Sequence, residues 1–130
     1  VAELYASSPD KIPGFVFNDP SLPDAQAMFA LPENPEQIPG AVAQAVWTLG
    51  CAGKFMWPFP EHGLRGRLHR IAAPTLILWG KQDRLMPVAL ADDFKAGISN
   101  CTIKLYDDCG HVLQVEKCDQ ALADVRSFIA

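Results

Sequence analysis

Two residues of the 130-residue chain could perform acid–base chemistry together: Asp83, which follows the apolar run TLILWG, and His111, which follows Gly110. A carboxylate can accept a hydrogen bond from one imidazole nitrogen, which fixes the tautomer and leaves the other nitrogen free to take a proton from a nucleophile. Each residue alone is also compatible with an ordinary loop position facing water. The pair therefore predicts a general base only if the fold brings both residues to one place.

The elements around the pair satisfy that condition. The run TLILW at 75–79 is continuously apolar and predicts a strand covered on both faces of a parallel sheet. Residues 88–97 predict a helix and TIKLYDD, at 102–108, predicts a second strand. A strand–helix–strand unit pairs its strands in parallel, and ligands gather beyond their carboxyl ends. Asp83 and His111 each follow such an end, so we expect them on the same rim.

Details of the second strand leave some choices open. Alternation predicts that Ile103 and Leu105 face the core while Tyr106 lies on a partly wet face. Asp107 and Asp108 are second-choice partners for the histidine because they are close to it in sequence. Gly110 predicts a tight backbone turn that points His111 back over the rim. A last helix, at 118–129, carries an apolar stripe: Ala121, Leu122, Val125, Phe128 and Ile129.

The first 63 residues have a different character. Most of the eleven prolines fall there, between short helical patterns at 24–31 and 40–50, and Gly50 is a plausible end for the second of these helices. Short helices between prolines rarely build a core alone. We therefore expect a lid lying over another layer.

Composition limits the class of protein. The length corresponds to about one domain, and the formal charge of −4 argues against nucleic acid or anionic membrane as a partner. No apolar run is long enough to span a membrane and no signal pattern begins the chain, so a cytoplasmic location with four reduced cysteines is expected. The spacing of Cys101, Cys109, His111 and Cys118 matches no usual zinc site, and we expect neither a metal nor a cofactor.

Three stretches then resemble one family. LHRIAAPTLILWG, LWGKQDRLMP and YDDCGHVLQVEKCDQALADVRSFI look like the C-terminal part of an α/β-hydrolase. The resemblance implies an α/β fold in which residues 64–130 form the end of the parallel sheet and residues 1–63 form part of a helical cap. It also implies that Asp83 is the acid of a catalytic triad and His111 its base.

The nucleophile of that triad has no match in this sequence. The expected G-x-S-x-G elbow is absent, and GISNC at 97–101 lies between a helix and a strand, the reverse of the required order. We expect the chain alone to be inactive. Its first residue, Val1, favours a piece of a longer hydrolase; a natural non-catalytic binding module is the alternative. Cys109 as nucleophile is a third, weaker hypothesis, because it is only two residues from its base.

The remaining expectations concern what the protein binds. Aromatic and apolar residues near the cap–core junction and the two motifs predict a hydrophobic pocket for a small ester, amide or carbon–carbon bond substrate. The predicted wall residues are Met56, Trp57, Phe59, Leu85 and Val112. A sheet lacking its other strands would also expose one edge of TLILW, which predicts self-association.

Overall fold

The computed structural model describes residues 8–56 and 63–130. Its helices are α1 (Pro13–Val16), α2 (Pro23–Phe29), α3 (Ile38–Met56), α4 (Leu64–Arg67), α5 (Ala89–Gly97), α6 (Leu113–Glu116) and α7 (Cys118–Ile129), and its strands are β1 (Thr75–Gly80) and β2 (Cys101–Tyr106). Single 3₁₀ turns cover Pro9–Lys11, Pro35–Gln37 and Leu68–Arg70. The predicted wall residues Trp57 and Phe59 lie outside the described residues.

The two strands form the parallel pair that the strand–helix–strand pattern predicts. They run in register from Thr75 beside Cys101 to Gly80 beside Tyr106, and α5 makes the crossover between them. Because both strands end at the same level, the loops after Gly80 and Tyr106 leave the sheet side by side. This is the rim on which Asp83 and His111 were expected.

Small apolar clusters cover the two faces of the sheet. Leu68, Ile98 and Cys101 are buried together on the face where α5 packs. On the other face Tyr106, Cys109 and Ala121 are buried against α7.

The burial of the side chains at the end of β2 differs from the prediction. Tyr106 is 2% exposed, whereas Leu105 is 45% exposed. The Tyr106 hydroxyl explains why a polar residue lies inward: it donates a 2.7 Å hydrogen bond to Oδ2 of Asp124 on α7, so the buried phenol keeps a partner. Ile103 packs against the Leu68–Ile98–Cys101 cluster as the alternation predicts, so only the expectations for Leu105 and Tyr106 are wrong.

The strand β1 is also less covered than its apolar sequence predicts. Residues 75–79 are half-buried, because β2 is its only strand partner among residues 8–56 and 63–130. An open apolar groove of about 400 Å³ runs along the strand and is lined in part by Ile71, Ile77 and Phe94. Similarly, α7 has the predicted bounds, but only Ala121 of its predicted stripe is buried.

Helix α3 is longer than predicted and contains the glycine that was expected to end it. It runs for 19 residues, from Ile38 to Met56, through Gly50. Glycine inside a helix costs only about 1 kcal/mol relative to alanine, and alanines on both sides favour continuation. Its apolar face is open: Val46 is 65% and Trp47 71% exposed.

The short helix α1 lies beside the rim of the sheet, and α2 packs against α1. Phe15 and Phe17 are buried, and the Phe17 ring meets the Phe29 ring edge-on with centroids 6.2 Å apart. Arg84, in the loop after β1, places its guanidinium 4.5 Å from the centre of the Phe15 ring and donates to the Gly14 carbonyl. Residues 14–17 therefore lie directly beside the loops that carry Asp83 and His111.

Candidate active site

The Asp83 carboxylate is held from two sides. Its Oδ1 accepts hydrogen bonds from the backbone N–H groups of Leu85 at 2.9 Å and Met86 at 2.8 Å. Its Oδ2 lies 2.8 Å from Nδ1 of His111, and the side chain is only 5% exposed. The two backbone bonds fix the orientation of the carboxylate, so one oxygen is committed to the loop and the other to the imidazole.

His111 is fixed at its backbone and at one ring nitrogen. Its N–H donates a 2.7 Å bond to the Val16 carbonyl, and Nδ1 faces Asp83. A carboxylate at this nitrogen favours the tautomer with the proton on Nδ1, which leaves Nε2 as the acceptor. The side chain is 41% exposed, so the ring can be reached from outside.

Hydrogen bonds between the loops after β1 and β2 hold the pair together. The Gln82 N–H donates to the Cys109 carbonyl at 2.9 Å, and the Gln82 side-chain oxygen accepts from the Cys109 N–H at 3.1 Å. Lys81 pairs with Asp107 at 2.7 Å. Asp107, one of the two alternative partners for the histidine, is therefore engaged elsewhere, and the histidine pairs with Asp83.

Two glycines permit close packing around the pair: Gly80 lies against the loop after β2, and Gly110 lies against residues 16–18 and Glu116. A Cβ added to Gly80 would lie 2.2 Å from the Gly110 carbonyl oxygen, and one added to Gly110 would lie 2.6 Å from the Asn18 nitrogen. Gly110 was expected to supply a tight turn, but the left-handed residue of this loop is Asp108, with φ of 50°. Gly110 is instead needed because backbone and side chains crowd against it.

A cleft of about 230 Å³ opens beside the pair. Besides Asp83 and His111, it is lined by Leu78, Trp79, Met86 and Leu113. The Trp79 indole N–H donates a 3.1 Å bond to the Met86 carbonyl, which holds two of these walls together. The cleft is thus a small, mostly apolar recess with one carboxylate–imidazole pair at its edge.

The predicted wall residues are distributed differently. Leu85 and Val112 are half-buried beside the pair but do not line this cleft. Met56 ends α3, and Trp57 and Phe59 lie outside the described residues. The sequence reasoning missed Trp79, Met86 and Leu113, although each is within four residues of Asp83 or His111. Proximity to the two motifs was the signal that could have found them.

Cys109 has the wrong environment for a nucleophile. It is fully buried, with its Sγ 3.8 Å from the Gly110 carbonyl. Burial, reinforced by the nearby Glu116 carboxylate, raises the pKa of the thiol to about 11. The thiol therefore stays protonated at neutral pH, which disfavours the hypothesis that it attacks a substrate.

Neither a metal site nor a membrane-spanning helix is found among the residues that the structure describes. Across residues 8–56 and 63–130 there is no group of three His, Cys, Asp or Glu side chains placed to hold a metal ion. Among the same residues, no helix combines the length and the apolar character that crossing a bilayer requires.

Comparison with known proteins identifies the family. The family model described as the alpha/beta hydrolase fold matches residues 43–117, which is more than half of the chain. This protein belongs to the α/β-hydrolase family. The matched region includes β1, β2, Asp83 and His111, so the family assignment and the geometry concern the same residues.

Individual α/β-hydrolases are similar over the same part of the chain. A 2-hydroxy-6-oxononadienedioate/2-hydroxy-6-oxononatrienedioate hydrolase of Klebsiella pneumoniae is 42% identical over 72 residues, which cover 55% of this chain and 24% of that protein. The human monoacylglycerol lipase ABHD6 is 33% identical over 70 residues, covering 54% of this chain and 21% of the lipase. The chain thus matches about a quarter or less of the length of these curated relatives.

A solved structure extends the likeness to the helical first part. The crystal structure of a membrane phospholipase A, described as a bacterial virulence factor, superposes on 92% of this chain with a TM-score of 0.70 and 25% sequence identity. This chain covers 36% of that protein. The likeness in backbone structure therefore extends beyond residues 43–117, which the family model matches.

Proposed function

We propose that this chain is the acid- and histidine-bearing part of an α/β-hydrolase that cleaves an ester, amide or carbon–carbon bond of a small apolar substrate. Asp83 orients His111, and His111 Nε2 acts as the general base for a nucleophile that these 130 residues do not contain. The observation that carries this proposal is the 2.8 Å contact between Asp83 Oδ2 and His111 Nδ1.

The environment of the pair supports these roles. The Asp83 carboxylate is nearly buried and accepts three hydrogen bonds, one of them the contact with the imidazole, so its charge is positioned to stabilise the imidazolium that forms when His111 takes a proton. The His111 side chain is 41% exposed and lines the cleft, so a substrate in the cleft can reach the ring. A pair buried on both sides would have no path to a substrate.

The length of the relatives supports a nucleophile supplied from elsewhere. The chain spans a quarter or less of each curated relative named above, and it contains no G-x-S-x-G sequence. We therefore propose that residues 64–130 are the end of a larger sheet and that residues 1–63 are part of its cap. On this proposal the 130 residues alone have no hydrolase activity.

The cleft and the relatives suggest the substrate class. Its walls are mainly the apolar side chains of Leu78, Trp79, Met86 and Leu113. One relative is named as a hydrolase of a dienedioate or trienedioate and another as a monoacylglycerol lipase, so carbon–carbon and ester cleavage both occur among similar proteins. The nucleophile and the rest of the pocket would select between these reactions.

The test compares three variants of the full-length product of the gene that encodes this chain. Hydrolysis of p-nitrophenyl butyrate and of a vinylogous 1,5-diketone should fall about 10²–10⁴-fold for Asp83→Asn and for His111→Ala on whichever substrate is turned over. Asp107→Asn is the matched control, because Asp107 follows β2 on the same rim, its ion pair with Lys81 is largely exposed, and the amide oxygen can still accept a hydrogen bond from Lys81. Full activity of Asp83→Asn would contradict the proposed role.

The mass of the native gene product distinguishes this proposal from the alternative, a non-catalytic binding module. If the native gene product has a mass near 14.2 kDa, no part of the protein remains to supply the nucleophile. The chain would then be a hydrolase-like binding module. A larger product that loses activity on substitution of His111 would exclude that alternative.

A further inference from the structure

We propose that Glu116 is a positioning residue that ties the loop carrying His111 to residues 16–19, here called the N-terminal strap. The catalytic consequence rests on the function proposed above, but the positioning itself does not. Glu116 ends the short helix α6 five residues after His111, and the family resemblance assigns it no role.

The Glu116 carboxylate bridges two segments that are far apart in the sequence. Its Oε1 accepts from the backbone N–H groups of Asn18 at 2.7 Å and Asp19 at 3.0 Å. Its Oε2 accepts from the N–H of Gly110 at 2.6 Å. One side chain therefore satisfies three backbone donors, two in the strap and one in the residue before His111.

Direct backbone contact between the strap and the loop lies beside this bridge. The His111 N–H donates to the Val16 carbonyl at 2.7 Å, so consecutive N–H groups of the loop are both held. A Cβ on Gly110 would lie 2.6 Å from the Asn18 nitrogen, 2.8 Å from the Val16 oxygen and 2.9 Å from Glu116 Oε2. The loop, the strap and the carboxylate are packed too closely for one to move without the others.

The strap is in turn anchored to the fold. Phe17, within the strap, is only 2% exposed. Just before the strap, the Phe15 ring packs against the guanidinium of Arg84, the residue that follows Asp83 in the sequence. The acid and the base are therefore each connected to the same N-terminal segment. Displacing the strap would disturb the backbone of His111 from one side and the loop of Asp83 from the other.

The chemistry requires a carboxylate at this position. Both oxygens of a carboxylate only accept hydrogen bonds, which suits three N–H donors arriving from two directions. The amide of a glutamine would turn an NH₂ group toward one of these donors. Losing the acceptor should cost most at the Gly110 N–H, because this group is buried and water cannot readily replace the carboxylate there.

The experiment measures positions by NMR and function by kinetics on the full-length gene product. In Glu116→Gln we expect the Gly110 amide to exchange with deuterium about tenfold faster than in the wild type. Selective ¹⁵N-histidine labelling should show a smaller fraction of His111 with the proton on Nδ1. The kcat should fall about tenfold with KM little changed, because the base is misplaced and the walls of the cleft are intact.

Two further variants make the result decisive. Glu33→Gln removes the same charge at an exposed position that makes no hydrogen bond within residues 8–56 and 63–130, and it should change none of these readouts. Glu116→Asp keeps the charge but is too short to reach both segments, and it should show the same loss of Gly110 protection. If Glu116→Gln does not fold, Glu116→Asp tests the positioning role in its place.

The outcomes separate the two proposals. Unchanged Gly110 exchange and an unchanged His111 tautomer in Glu116→Asp or in folded Glu116→Gln would overturn the positioning role. Altered exchange and tautomer, combined with full activity of His111→Ala, would support the positioning role and overturn the proposed function instead.

Discussion

Replacing Gly80 by alanine should separate the two loops that hold Asp83 and His111. The new Cβ would lie 2.2 Å from the Gly110 carbonyl oxygen and 2.4 Å from that of Cys109, whereas ordinary contact begins at 3.4 Å. Relief therefore requires the backbones to move apart by about 1.2 Å, the difference between 3.4 and 2.2 Å. Both obstacles are backbone atoms, so no side chain can rotate to make room.

The energetic cost follows from the same distances. Overpacking of this kind costs about 1–3 kcal/mol. If the full displacement reached the acid–base pair, its 2.8 Å contact would lengthen to about 4.0 Å, beyond hydrogen-bonding distance. Losing that hydrogen bond would add about 1 kcal/mol, since His111 is partly exposed to water. We expect the free energy of unfolding of Gly80→Ala to be about 2–4 kcal/mol lower than that of the wild type.

Urea unfolding followed by far-UV circular dichroism measures this loss. With a denaturant slope of about 1–3 kcal/mol per molar, the midpoint should fall by about 0.7 M or more. Gly50→Ala is the matched control, because Gly50 lies inside α3 and a Cβ there meets none of the described atoms within 4 Å. It should leave stability unchanged or raise it by up to about 1 kcal/mol. Gly80→Ala with a midpoint equal to that of the wild type would refute the close-approach argument.

Two more predictions concern stability and association. Hydrogen bonds from Tyr106 and then from Lys104 hold the pKa of Asp124 below its ordinary value of 3.8. A lowered carboxyl pKa contributes stability above pH 3.8, and this stability is lost as the pH falls through the lowered value. In an acid titration followed by circular dichroism, Asp124→Asn should therefore lose less stability than the wild type. Equal losses of stability in the two proteins would contradict this. One edge of β1 has no strand partner within residues 8–56 and 63–130, and this edge should make the isolated 130-residue chain self-associate. Sedimentation showing a stable monomer at high concentration would count against it.

Local sequence patterns were sufficient to predict the elements of the second half. The apolar run before Gly80, the helix of the crossover and the alternating second strand define a parallel unit, and α7 begins and ends where its periodicity indicates. From that unit alone, Asp83 and His111 could be expected on one rim, because parallel strands send their carboxyl ends the same way. Their contact at 2.8 Å confirms that placement.

Predictions that depended on one residue acting locally were less successful. Gly50 does not end α3, because the helix preference of its neighbours outweighs the modest cost of one glycine. Tyr106 faces inward although alternation suggested otherwise, because Asp124, on another element, supplies a partner for its hydroxyl. Gly110 is needed for space and not for a left-handed turn.

The sequence by itself determined the order of strand, acid, helix, strand and base, since each depends on a short-range pattern of apolar, glycine and proline residues. Only the tertiary structure decided what surrounds the pair: the cleft walls, the contact between Gly80 and Gly110, and the bridge from Glu116 to residues 16–19. These contacts join residues up to 98 positions apart. No local pattern encodes such a pairing, because it arises from how the packed elements bring distant backbone groups within hydrogen-bonding distance.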